Sequence, residues 1–430
     1  MHSSFASIAG IVSRTCPSCG ASYPEETFFC GTDGFITIQE QDPADFDPRL
    51  GKQLGGYVVV ARVADGAMGR VYEGRHPETK ARVAIKVLHE QVARDRVAVE
   101  RFKREYETAQ ELKSPYIVQV LEYGATPDRS WFMTMEFLEG EELSKAISRG
   151  KPLPLPRVVR VLSQVGLALE HAHSFGFIHR DLKPDNVFLC STEAGAQVRL
   201  LDFGSVKLQV ETGAKLTALG TTLGSPCYMS PEQATGAADV DQQSDVFAVG
   251  SILYEMLTAK VAFDAPTVAM ILLKILNQQP APASSHNPAV TSAIESVITR
   301  AIEKDKSLRY PTARALAEGF AKAVGIKGTC EEWATRTEAE IAEALAAVPA
   351  PQPKAAAVPS KVAVTQVQQP RVAVAPTPSV SSGQPVRTLG STSGTSDAPL
   401  HVPRQTGATK WIVAVAIGVV LLGLFLLISR

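Results

Sequence analysis

The chain has 430 residues, 45% hydrophobic and 20% charged, with 43 Lys and Arg set against 44 Asp and Glu. That length holds one domain of roughly 250–300 residues with additions, or two ordinary domains. A formal net charge of −1 offers no basic surface for a phosphate backbone, so nucleic acid is excluded as the expected partner.

In chain order, residues 1–13 carry a short apolar stretch, Phe5 to Val12. No Lys or Arg precedes it and no small-residue cleavage site follows, so no secretory leader is expected. Within residues 1–40 lie Cys16-Pro17-Ser18-Cys19-Gly20 and Phe29-Cys30-Gly31-Thr32-Asp33-Gly34. The pair resembles the two knuckles of a zinc ribbon, whose sharp turns aim sulfurs at one tetrahedral ion, with Asp33 in the fourth place. Zn²⁺ held by Cys16, Cys19, Cys30 and Asp33 is one reading; a metal-free knuckle and a redox role are the others. Cys190, Cys227 and Cys330 are scattered, which suits reduced thiols in the cytosol. An acidic, proline-containing run from Gln41 to Pro48 closes this region.

Residues 57–323 show dense patterning. A first strand is predicted at Tyr57-Val58-Val59-Val60, and β-branched runs continue to Phe137, interrupted by a charged helical interval from about Arg94 to Lys113. Beyond it Val158, Val161, Val165, Leu169 and Ala172 recur at three- and four-residue steps, as one buried helix face requires. A strand-rich half followed by a helix-rich half predicts an α+β architecture with two lobes. An accessory helix is predicted over 330–347. Residues 348–409 are rich in Pro, Ala, Val, Gln, Ser and Thr and hold no aromatic residue, so they read as a disordered tether of roughly 40–50 Å. Trp411 to Ile428 carry no charge, and at 1.5 Å per residue a helix there reaches roughly 27 Å, the thickness of a bilayer core. Arg404 and Lys410 on its N-terminal flank predict a single-pass protein of the cell membrane whose bulk faces the cytosol. Ala414 and Gly418 form a small-xxx-small pair able to pack two such helices, a spacing common by chance in Ala/Gly-rich spans.

Three stretches carry chemistry. In Val63-Ala64-Asp65-Gly66-Ala67-Met68-Gly69-Arg70-Val71-Tyr72, missing side chains let backbone N–H groups approach a phosphate. Downstream, Val83-Ala84-Ile85-Lys86 puts Ala84 and Lys86 on one face of a strand beneath that turn. The densest run is His179-Arg180-Asp181-Leu182-Lys183-Pro184-Asp185-Asn186, followed by Leu201-Asp202-Phe203-Gly204. So many polar groups would be poor core material, but they make chemical sense together. Asp181 can accept a hydroxyl proton, Lys183 can neutralise a moving phosphoryl, and Asn186 and Asp202 supply oxygen ligands for Mg²⁺.

Over roughly residues 57–323 these stretches resemble the eukaryotic-like protein kinases, the bacterial serine/threonine kinases above all. The resemblance implies ATP and Mg²⁺ as cofactors and proteins as substrates. It implies that Lys86 holds the α- and β-phosphates and pairs with Glu105, that Asp181 is the base, and that Asn186 and Asp202 hold metal. Gly66 and Gly69 become the phosphate loop. Val63, Val71, Ala84 and the gatekeeping Met135 surround the nucleotide, with Glu136-Phe137-Leu138 as hinge. Gly224 to Glu232 resembles the segment that closes the activation loop, with Ser225 near Asp181 and Lys183 at the substrate, Glu232 paired with Arg309 and Asp245 bracing the catalytic loop. Lys183 points to serine/threonine specificity. Ala64 departs from the family's first glycine, which implies weaker nucleotide affinity at most, provided its φ is negative. Arg180 beside the base implies control by loop phosphorylation, with Thr217, Thr221 and Thr222 as candidates and trans-autophosphorylation in a homodimer as the route. The rival expectation is a pseudokinase scaffold that binds nucleotide or partners without turnover.

Overall fold

The computed structural model describes residues 13–40, 45–126, 130–203 and 226–348. The predicted tether from 349 onward, the membrane segment Trp411 to Ile428, Gly204, Thr217, Thr221, Thr222 and Ser225 lie outside the described residues.

A small sheet comes first: β1 (Arg14–Thr15) pairs antiparallel with β2 (Ser22–Tyr23) and with β3 (Ile38–Gln39). These strands are two residues long, and the apolar side chains buried here are Cys16, Cys30 and Ile36. That is too little core to hold a 28-residue module by burial alone.

The second sheet is six-stranded. It comprises β4 (Gln53–Leu54), β5 (Tyr57–Asp65), β6 (Gly69–Arg75), β7 (Arg82–Leu88), β8 (Val120–Ala125) and β9 (Trp131–Glu136), in the order β4-β5-β6-β7-β9-β8. The predicted first strand thus runs five residues past Val60, through two register shifts against β6. Alternation along β7 buries Val83, Ile85 and Val87 against Leu54, Val59, Tyr72 and Phe132, and leaves Ala84 and Lys86 on the other face. The predicted helical interval is α2 (Arg96–Glu111), capped by the Asp95 side chain, which accepts from the Val97 amide; a short helix not predicted, α1 (Glu90–Ala93), precedes it. Phe102 and Ala109 pack α2 against Leu88, Val120 and Met133.

The helical lobe follows. β10 (Gly140–Glu142) leads to α3 (Leu143–Ile147) and to α4 (Leu155–Ser174), which buries the predicted face from Val158 to Ala172. β11 (Val187–Thr192) and β12 (Gly195–Leu200) form a hairpin that pairs with β10 directly below the segment joining the lobes. Then come α5 (Pro231–Ala234), α6 (Gln242–Thr258), α7 (Val268–Asn277), α8 (Ala283–His286), α9 (Ser292–Ala301) and α10 (Ala313–Ala323). Helix α6 is buried nearly all round and forms the axis of this lobe.

The accessory helix predicted over 330–347 is two helices, α11 (Cys330–Thr335) and α12 (Glu338–Ala346). Arg336 ends the first, and Thr337 caps the next, closing a capping box with Glu340. Both dock on α4, and α12 also meets β12, where Glu338 accepts from the Ala196 amide. Gln164 donates to the Ala334 carbonyl at 2.7 Å while accepting from the Val198 amide at 2.7 Å, and Arg160 bridges the carbonyls of Ala196 and Arg336. Among the described residues no helix is long and apolar enough to cross a membrane.

Candidate active site

Strand β7 delivers Lys86 to the inner face of the sheet, where its Nζ donates to Glu105 Oε1 on α2 at 2.9 Å and to Asp202 Oδ1 at 2.8 Å. Lys86 and Glu105 are largely buried there, while Asp202 stays about half exposed. Burial opposes the Lys86 charge, but Asp202 and Glu105 outweigh it and hold the ammonium far above its ordinary range. One cation cannot fully compensate two carboxylates. Burial pushes Glu105 up to about 8 despite Lys86, whereas at Asp202 the Lys86 charge overcomes burial and keeps the carboxyl ionised. Asp202 adopts a left-handed backbone at φ 56°, and Arg180 does so at φ 65°. Such strain in residues with a Cβ persists where surrounding structure over-determines it, typically at functional sites.

The run from His179 to Asn186 is held by one buried carboxylate. Asp245 on α6 accepts from the amides of His179 and Arg180, both at 2.9 Å, and from His173 Nε2 at 2.8 Å. Burial works against its charge, yet the His173 hydrogen bond keeps its pKa below the ordinary value. Gln233 donates to the Arg180 carbonyl at 2.6 Å, and Phe203 is buried against the His179 ring at 4.7 Å. So anchored, the run gathers its reactive groups: Lys183 Nζ lies 2.9 Å from Asp181 Oδ2, and Asn186 Nδ2 donates to the Asp181 carbonyl at 2.7 Å. The Leu201 amide, next to Asp202, donates to the Asn186 carbonyl at 2.9 Å and ties the two segments together, and Glu232 forms its predicted pair with Arg309 at 2.8 and 2.9 Å.

Over the cleft, β5 and β6 turn through Gly66, whose amide donates to the Gly69 carbonyl at 3.0 Å. The need for glycine differs between the two positions. At Gly69 a side-chain carbon would collide with the Val87 carbonyl, so close strand packing demands it; at Gly66 the nearest atom to such a carbon is 3.3 Å away. Gly69 thus has a steric reason of its own, beside the phosphate approach expected of both glycines. Ala64 lies in β5 and is not among the residues with positive φ, which meets the condition set for it. Val63 is exposed at the turn, while Val71 and Ala84 are half-buried. Met135 is half-buried at the end of β9. The Glu136 amide is already given to Gln119, and its carboxylate pairs with Arg199 at 3.1 Å, so the hinge is tied to β12.

Three contacts escaped the sequence. His173 supports Asp245 from 72 residues away, Gln233 holds the Arg180 carbonyl, and His89 Nε2 sits 2.8 Å from the Gly66 carbonyl. No local pattern marks any of them.

Away from the cleft, the ligand atoms of Cys16, Cys19, Cys30 and Asp33 lie within 4.8 Å of one another. Cys19 and Cys30 sulfurs are 3.5 Å apart, as are Cys16 Sγ and the Asp33 carboxylate. Ligands around one tetrahedral Zn²⁺ sit roughly 3.5–3.8 Å apart, so the group fits the ion. The Cys30 thiol and the Phe35 amide hold the Asp33 carboxyl at about 2, in the ionised form a ligand needs.

A sheet lobe over a helical lobe, with a lysine between two carboxylates above an Asp–Lys–Asn cluster, defines the class: a two-lobed protein kinase fold. The chain belongs to the protein kinase domain family, whose model matches residues 57–321. It is 40% identical over 270 residues to the serine/threonine-protein kinase Pkn1 of Myxococcus xanthus, covering 63% of this chain and 38% of that one. Against the serine/threonine-protein kinase PrkC of Bacillus subtilis identity is 33% over 265 residues, or 61% of this chain and 40% of that one. The matched region thus spans less than half the length of either relative. The crystal structure of the Mycobacterium tuberculosis PknI kinase domain superposes with a TM-score of 0.51 at 27% identity, over 64% of this chain and 98% of that one.

Proposed function

We propose that this chain transfers the γ-phosphoryl group of ATP to serine or threonine hydroxyls of proteins. One observation carries the reading: Lys86 bridges Glu105 and Asp202 at 2.9 and 2.8 Å while Asp181, Lys183 and Asn186 assemble within hydrogen-bond distance of one another. Lys86 is positioned to hold the α- and β-phosphates, and Asp181 to orient the acceptor hydroxyl and take its proton. Lys183 neutralises charge on the moving phosphoryl. Asn186 and Asp202 would hold Mg²⁺, and their hard oxygen donors suit it; when bound, the ion offsets phosphate charge. The names of the relatives support serine and threonine as acceptors. No observation favours the scaffold reading.

Three further parts belong to the proposal. Zinc at Cys16, Cys19, Cys30 and Asp33 is supported by their spacing. Control through phosphorylation of Thr217, Thr221 or Thr222 is supported by Arg180, whose buried Nε has no hydrogen-bond partner among the described residues. Anchoring through 411–428, with the kinase in the cytosol and dimers phosphorylating in trans, is supported by the uncharged span and its basic flank.

The test is incorporation of labelled phosphate into a generic protein substrate and into the chain itself. Asp181→Asn is expected to lower the rate about 10²- to 10⁴-fold with ATP binding retained. Equal incorporation by both proteins removes Asp181 from the chemistry and leaves the scaffold as the better description.

A further inference from the structure

The cysteine module does not hang free of the kinase domain; it grips the hairpin that covers the phosphates. Strand β5 carries register shifts against β6 between Val59 and Ala61 and between Arg62 and Ala64. Such bulges free backbone groups from the ladder, and buried groups need partners. The module supplies them: Arg14 donates to the Val60 carbonyl at 3.4 Å, and the Gln39 side chain accepts from the Arg62 amide at 3.3 Å. Arg14 is 3% exposed, and Thr37 holds it through its hydroxyl at 3.1 Å and its carbonyl at 3.0 Å. Phe28 is clasped between the guanidinium groups of Arg14 and Arg75, 4.4 and 4.0 Å from its centroid, and Lys80 lies over Phe29 at 4.2 Å.

The contacts continue to the turn itself. Asp45 pairs with Arg62, and Asp47 accepts from Tyr72 at 2.7 Å and from Arg70 at 3.3 Å. Arg70 in turn holds Asp65 at 2.8 Å, next to Gly66, whose carbonyl His89 meets. Three of the four candidate ligands adjoin the gripping residues. Cys16 stands two places after Arg14, Cys30 directly after Phe29, and Asp33 four places before Thr37.

We propose that the module is a metal-set clamp. An ion at Cys16, Cys19, Cys30 and Asp33 fixes Arg14, Phe28 and Gln39 against β5 and β6, and its loss slackens the hairpin and weakens ATP binding. A module with so few buried apolar side chains has little other means of staying folded, so loss of the ion loosens the grip. This rests on the zinc and kinase readings above.

The experiment uses the full chain expressed with zinc. Metal content is measured by mass spectrometry, the Kd of a non-hydrolysable Mg·ATP analogue by calorimetry, and amide exchange across residues 57–75 and in α4 and α6. Cys19→Ser is expected to lose the zinc, bind the analogue on the order of five-fold more weakly and exchange faster in β5 and β6, with α4 and α6 unchanged. Arg14→Gln keeps all four ligands and is expected to retain zinc while showing the same weakening. Stoichiometric zinc whose loss leaves both the Kd and the hairpin exchange unaltered overturns the clamp and leaves the zinc reading standing. A chain that purifies without zinc and takes up none overturns both.

Discussion

At the residue scale the site depends on buried charges whose partners come from far along the chain. Arg309 has no exposed side-chain surface, and Glu232, which it meets in two hydrogen bonds, also accepts from Ser244 at 2.6 Å. Burial works against the Glu232 charge, but Arg309 wins and holds its carboxyl at about 2, against an ordinary 4.5. A carboxylate whose folded pKa is depressed stabilises the fold above its unfolded pKa and ceases to do so as pH falls through the folded value. The window is therefore pH 4.5 down to about 2, and the contribution above it is on the order of 3 kcal/mol. Denaturant unfolding should show wild type losing more stability across that window than Glu232→Gln; parallel losses would exclude the pair as the cause. Arg309→Ala leaves Glu232 buried without its cation and should cost about 3–5 kcal/mol at neutral pH.

At the scale of elements, α11 and α12 lie beyond the family match at residue 321, yet they complete the helical lobe. Trp333 is 2% exposed, and Glu338 accepts from Arg157 and from the Ala196 amide, both at 3.0 Å. Removing these helices strands Gln164 and Arg160, which are buried in α4 and give hydrogen bonds to them. Each buried polar group left without a partner costs about 1–3 kcal/mol. A chain stopped after Ile326 should melt well below the full chain by calorimetry, and Trp333→Ala should cost about 3–5 kcal/mol. An unchanged melting temperature in either would make the two helices an appendage instead of a wall of the lobe.

For the whole molecule, the proposed anchor separates attachment from chemistry. A chain ending at residue 409 should leave the membrane fraction for the soluble one while its rate on a soluble protein substrate stays within about two-fold, since phosphoryl transfer is local positioning and electrostatics. Retention of the shortened chain on carbonate-washed membranes would assign attachment to another segment.

Consecutive residues made much of this protein legible from its sequence. The octet from His179 to Asn186 and the strand carrying Lys86 concentrate their chemistry within a few positions, and the period of α4 showed its buried face. The partition of α11 from α12, the steric reason for Gly69, the support of Asp245 by His173 and the seating of the cysteine module on a bulged strand were decided by the tertiary structure. Each depends on groups that meet only after folding: Gln164 and Ala334 are 170 residues apart, and Arg14 and Val60 are 46 apart. Periodicity and local motifs report which way a side chain faces, and only the packed chain says what it faces.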